Sequence, residues 1–245
     1  MTNLPASSTE DRPAAAPVPH TNHALAVGAA GFAWCSLALG LSTVGAISAA
    51  GSSIILAGTF FYGGIVQVVA GFFALASGAG FAAAFLCSYG AFWLGYTGIE
   101  VYVAPHIVSA VLASPASAGL SKSALAAAAG HTVATSLGVF LISWLVVTVI
   151  FTVVSVRTNV ITAVAFGLLD LTIILLILAY LGASAAGVAQ SGALHAAGYA
   201  EIVLGLVAFY LVLAELLNEV VQREVLPLFP LTNRTAPALR AGLAA

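Results

Sequence analysis

From residue 26 onward the chain alternates long apolar runs almost free of charge with short polar or proline-bearing breaks. Several runs exceed the about 18 residues needed to cross a bilayer core. The breaks divide them into six predicted spans, near 26–47, 53–76, 80–103, 124–153, 160–182 and 197–221. The break at 77–79 is tight. The break at 104–122, with Pro105, His106, Pro115 and Lys122, is the longest predicted loop. Ten-residue segments of alternating polarity, the mark of an outer-membrane barrel, do not occur. The expected fold class is an all-α integral membrane protein, a six-transmembrane-helix bundle.

Composition agrees with the pattern. Hydrophobic residues make up 62% of the chain and charged ones only 6%, against about 25% in a soluble domain. Such a chain cannot clothe a soluble globule in polar surface. The near-neutral balance leaves no nucleic-acid footprint. Residues 1–22, rich in Pro, Ala, Ser and Thr, read as a disordered N-terminal tail. Pro5, Pro13, Pro17 and Pro19 interrupt any secretory signal pattern there. Residues 23–225 read as the transmembrane domain and 226–245 as a C-terminal tail. Arg12, Arg157, Arg223, Arg234 and Arg240 fall on one side of the six spans, with Lys122 on the other. The positive-inside rule then makes both termini cytoplasmic, and the expected location is the plasma (cytoplasmic) membrane.

Chemistry in such a chain is sought on helix faces. Gly63, Gln67 and Gly71 recur every four residues and share a face. They form either a close-packing seam or the wall of a solute path, with the Gln67 amide as donor and acceptor. Phe85, Tyr89, Phe92 and Tyr96 make an aromatic stripe. The Tyr89 phenol, near mid-span, needs a hydrogen-bond partner or a wet cavity; a pore or a helix interface would supply either. Phe32, Ser36, Gly40 and Thr43 line up along the first span, though Ser and Thr also bond their own helix backbone.

Ionisable groups inside spans are costly and are functional candidates for that reason. Asp170 lies within the fifth span, Glu201 near the start of the sixth, and Glu215 toward its end. Asp170 and Glu215 are candidates either for proton coupling or for structural pairing at the membrane edge. Glu100 and Glu219 read as interfacial. Glu201, Ala208, Glu215 and Gln222 recur every seven residues, one slowly drifting face. His131 and His195 read as structural. Cys35 and Cys87 read as small apolar filler. No Ser–His–Asp, HExxH or CxxC arrangement occurs, so an enzyme is unsupported, and no metal or cofactor is expected.

Three segments together carry a resemblance. FYGGIVQVVAG (61–71), SYGAFWL (88–94) and AELLNEVVQREVLPLFP (214–230) are similar to the acetate uptake transporter family, the succinate–acetate permease group. LLDLTIILL (168–176) and ALHAAGY (193–199) match its fifth and sixth helices. The resemblance spans roughly residues 23–230. It implies a homo-oligomer of six-helix subunits, a hexameric ring, each subunit passing acetate and related small carboxylates. It places a mid-membrane hydrophobic constriction on Phe32, Tyr89 and Leu168, with Ala208 nearby setting substrate size. One segment departs: where the family carries NPAPLGL, this chain has HALAVGA (23–29), losing both prolines. Leu41, Ser42 and Thr43 stand where the family often has Leu-His-Asn.

The function expected is transport of acetate and similar monocarboxylates, with succinate a further candidate, as an anion channel or proton-coupled symporter. Membrane lipids are the other expected partner. Ser36, Thr43, Gln67 and Tyr89 would offer the polar contacts. Two rivals stay open. One is a pore for small neutral solutes such as ammonia, water or urea; the other is a non-transporting membrane sensor or scaffold.

Overall fold

A computed structural model describes residues 23–48, 50–183 and 189–231. The expected N-terminal tail, most of the expected C-terminal tail and the basic residues Arg12, Arg234 and Arg240 lie outside the described residues. Among the described residues, six helices are long and apolar enough to cross a membrane: α1 (His23–Thr43), α2 (Gly51–Ala76), α3 (Gly80–Ala113), α4 (Lys122–Ser155), α5 (Val160–Leu181) and α6 (Ser191–Val221). Each packs on its sequence neighbours, and α6 packs on α1 to close the ring. The exposed apolar side chains on α2 and α4, such as Phe61, Phe72, Phe73, Val146 and Val153, suit lipid rather than water. The chain is a multi-pass membrane protein.

Lipid offers no hydrophobic drive between helices, so close backbone approach must do the packing. Glycine permits it at the α1–α6 seam. A Cβ on Gly40 would lie 2.8 Å from the Gly198 carbonyl oxygen, and one on Gly205 2.7 Å from the Leu37 nitrogen. The α2–α3 seam uses Gly71 against Cys87 and Gly90 against Val68. Gly63 packs against Cys35 and Trp93. The glycine part of the Gly63–Gln67–Gly71 face is therefore a packing seam, and both cysteines are free thiols within it.

The largest departures from the expected helix boundaries are in the third and sixth spans. The predicted 104–122 loop is helical as far as Ala113. Proline at 105 removes an N–H and crowds the carbonyl four residues back. Here a π-helical turn, Ile99–Val103, directly precedes it, and such a widened turn absorbs the mismatch. A second π-helical stretch, Thr59–Val66, lies in α2. The Thr59 and Thr97 hydroxyls bond at 2.8 Å across α2 and α3 beside these wide turns. The sixth helix begins at Ser191, not 197, so His195 sits inside it, bonded through Nδ1 to the Ser191 carbonyl.

Residues 226–231, read as the start of a tail, dock on the bundle. Val160 N–H donates to the Phe229 carbonyl and Leu231 N–H to that of Thr158. Asn218 organises the turn: its Oδ1 accepts from Val225 and Leu226 N–H, and its Nδ2 donates to the Leu226 carbonyl. At the same end His23 Nδ1 meets Glu219 Oε2 at 2.9 Å. Both ends of the helical domain thus lie on one face of the bundle, with Arg157 and Arg223; Lys122 is at the other.

Candidate functional site

The helices line two partly open cavities. One, of about 80 Å³, is walled by Ser36, Leu39 and Thr43 of α1, Trp93, Tyr96 and Glu100 of α3, Leu137, Phe140 and Leu141 of α4, Thr172 and Tyr180 of α5, and Glu201 of α6. The other, of about 110 Å³, opens toward the chain-terminal face. It is walled by Leu25 and Ala29 of α1, Phe81 and Phe85 of α3, and Asn159, Thr162 and Phe166 at the start of α5. About 10–15 Å³ of free space admits one water. Either cavity therefore holds several waters or one solute of a few heavy atoms.

Phe32 and Leu169 line both cavities. They form the neck between them. Phe32 is 4% exposed, and its ring is held on three sides. Its centroid lies 5.4 Å from Tyr89, 5.6 Å from Phe85 and 6.3 Å from Trp93, all edge-on. Phe85 continues the apolar plug to Phe166 at 5.3 Å. Tyr89 is 1% exposed and lines the first cavity. Its phenol bonds the Thr148 hydroxyl of α4, so a helix interface supplies the partner that a mid-span phenol requires. Thr148 in turn donates back to the Trp144 carbonyl.

The sequence-predicted residues divide into two groups. Phe32, Ser36, Thr43 and Tyr89 line the first cavity. Spacing along α1 was sufficient to find the first three, and Thr43 also bonds its own helix at the Leu39 carbonyl. Leu168, Gln67 and Ala208 line neither cavity. At the neck stands Leu169; Leu168 is one residue, or about 100° of helix, away and packs against the surrounding core. Gln67 is fully buried, and neither amide atom has a hydrogen-bond partner among the described residues. Ala208 is buried in the core that also holds Phe32 and Leu204. Asp170 takes a 2.7 Å hydrogen bond from the Thr152 hydroxyl, a link between α4 and α5 away from both cavities. Glu215 is half-buried farther along α6.

Three further residues of the cavity wall stand out; Glu201 was a candidate on cost alone with no place on the path, and Trp93 and Thr172 were not singled out. Glu201 is 5% exposed, and its Oε2 has no partner among the described residues. It reaches the cavity because α6 starts at Ser191, which sets residue 201 nearly three turns inside. Trp93 also lines this wall, and its indole Nε1–H has no partner among the described residues. Thr172 is buried there and bonds the Leu168 carbonyl. The seven-residue row through Glu201 and Ala208 was the available signal, and it does mark the inward face of α6. None of the residues named on either cavity wall is Lys, Arg or His.

Acetate permease A of Emericella nidulans is 30% identical over 209 residues, which cover 84% of this chain and 63% of the permease. The chain thus spans under two thirds of that relative's length. The succinate-acetate/proton symporter SatP of Escherichia coli K12 is 31% identical over 202 residues, covering 82% of this chain and 92% of the symporter. The solved structure of the bacterial acetate channel SatP superposes with a TM-score of 0.66 at 28% identity, over 84% of this chain and 97% of that one. The family description GPR1/FUN34/yaaH matches residues 8–233. The resemblance read from FYGG, SYG and the NE-bearing sixth helix is borne out, and the chain belongs to the GPR1/FUN34/yaaH family.

Proposed function

We propose that each subunit moves acetate and similar small monocarboxylates along the path formed by the two cavities. The observation that carries this reading is the neck. Phe32 and Leu169 are shared by the walls of two solute-sized spaces, an arrangement that gates by dewetting or side-chain rotation. The relatives named for acetate and succinate supply the substrate class. Ser36 and Thr43 offer hydroxyls on one side of the neck and Thr162 and Asn159 on the other. The subunits assemble as a hexameric ring in the plasma membrane with both termini cytoplasmic, and Gln67, Ala208, Asp170 and Glu215 hold the helices in register around the path.

Purified protein in liposomes tests the reading. Labelled acetate should enter faster than into empty liposomes, and swelling in urea or ammonium salts should stay at the empty-liposome level. No acetate uptake above background at any imposed pH gradient would refute it. A subunit count in detergent by native mass spectrometry tests the ring, and protease access to the termini in inside-out vesicles tests the orientation.

A further inference from the structure

We propose that Glu201 is the group that lets a carboxylate solute occupy the first cavity, by sharing one proton with it. This rests on the carboxylate-transport reading above. An anion entering this space finds no Lys, Arg or His among the described residues of its wall, and a buried uncompensated charge is prohibitively costly. What the wall does offer is a carboxyl group 5% exposed, with one oxygen unpartnered among the described residues. Glu100 lines the same cavity nearer its mouth. A wall carrying only acidic charge excludes anions unless a proton accompanies them.

The titratable groups within electrostatic reach of Glu201 are Cys35 of α1, Tyr96 of α3 and Tyr180 of α5, and Glu100 of α3 lines the same cavity. None of them is a base that could hold Glu201 as a fixed carboxylate partner. A protonated Glu201 donates its O–H to one oxygen of the entering carboxylate, and the pair holds one negative charge rather than two. The Trp93 Nε1–H on the same wall is a donor for the solute's second oxygen. The Glu201 O–H bond then breaks as the solute O–H bond forms. The neutral acid passes the apolar neck, and Glu201 regains a proton from water at the cavity mouth. Each carboxylate carried therefore takes one proton with it.

The test is the pH profile of acetate uptake in liposomes for wild type, Glu201→Gln and Glu201→Asp. Glutamine keeps the volume and a donor but holds no transferable proton. Its uptake should follow the concentration of free acetic acid alone, falling tenfold per pH unit through pH 6 to 8, while wild type and Glu201→Asp fall less steeply. A Glu201→Gln profile superposed on an active wild type overturns this inference and leaves the transport reading standing; an inactive wild type overturns both. Should Glu201→Gln fail to fold, dicyclohexylcarbodiimide, which attacks protonated carboxyls in apolar sites, decides on the wild-type protein. Modification of Glu201 that acetate suppresses supports the proposal. No modification, or modification indifferent to acetate, overturns it.

Discussion

Replacing Phe32 by alanine removes the ring that separates the two cavities. In lipid the transfer of apolar surface contributes little to folding, so the stability cost comes from lost contacts. Three edge-on aromatic partners, Phe85, Tyr89 and Trp93, surround the ring. At about 0.5–1.5 kcal/mol each, the loss is roughly 1.5–4.5 kcal/mol. The cavities already border the ring on two sides, which places the cost at the lower end. Transport should move the other way. A carboxylic acid crossing the intact neck gives up at least one hydrogen bond to water, worth about 1–3 kcal/mol when unreplaced. A neck wide enough for an accompanying water restores that bond. Uptake should then rise between about fivefold and about 150-fold. Monocarboxylates larger than acetate, such as lactate and benzoate, should gain most. The assay is initial uptake into liposomes, with detergent melting of the purified variant to report stability. A variant that folds, melts lower and carries acetate at the wild-type rate would show that the barrier is elsewhere.

Leu169→Ala should raise uptake by the same route, whereas Leu168→Ala should change it less than twofold; equal effects would remove Leu169 from the neck. Gly205→Ala places a methyl group 2.7 Å from the Leu37 nitrogen, and overpacking backbone against backbone costs about 1–3 kcal/mol. Its melting temperature should drop by several degrees, and an unchanged melt would mean that the α1–α6 seam yields freely. Tyr89→Phe keeps the ring and strands the Thr148 hydroxyl, which still has the Trp144 carbonyl. The stability loss should be about 1 kcal/mol, seen in the same melt, with acetate selectivity retained.

Much of the first cavity's lining was readable from spacing. Phe32, Ser36 and Thr43 are four and seven residues apart, one and two helical turns, and an unbroken α1 carries all three to the same wall. Tyr89 was readable because a phenol in mid-span demands a partner. Leu169 was not, because residues 168 and 169 are both leucine and only the rotation of α5 against α1 selects between them. Glu201 was misplaced by the start of its helix. Gly192 and His195 resemble loop residues, so the boundary was set near 197 and the carboxyl near the membrane edge. Gln67 lay between two open readings, a packing seam and a path wall. Its face was identified, but glycine contacts against Cys35, Trp93 and Cys87 turn that face into a seam beside the path.

What the sequence by itself determined is the solvent and the count: apolar runs of spanning length, six of them, with family motifs in order along the chain. Those properties are local, since each run must satisfy its own backbone in lipid whatever its neighbours do. The tertiary structure alone decided how the helix faces are rotated against one another. That choice depends on glycines meeting across α1–α6 and α2–α3, on a π-helical turn that carries α3 through Pro105, and on the extra turns that bring Glu201 to the cavity. No single run encodes it, because a helix in lipid has no polar surface to orient it and takes its rotation from the helices it touches.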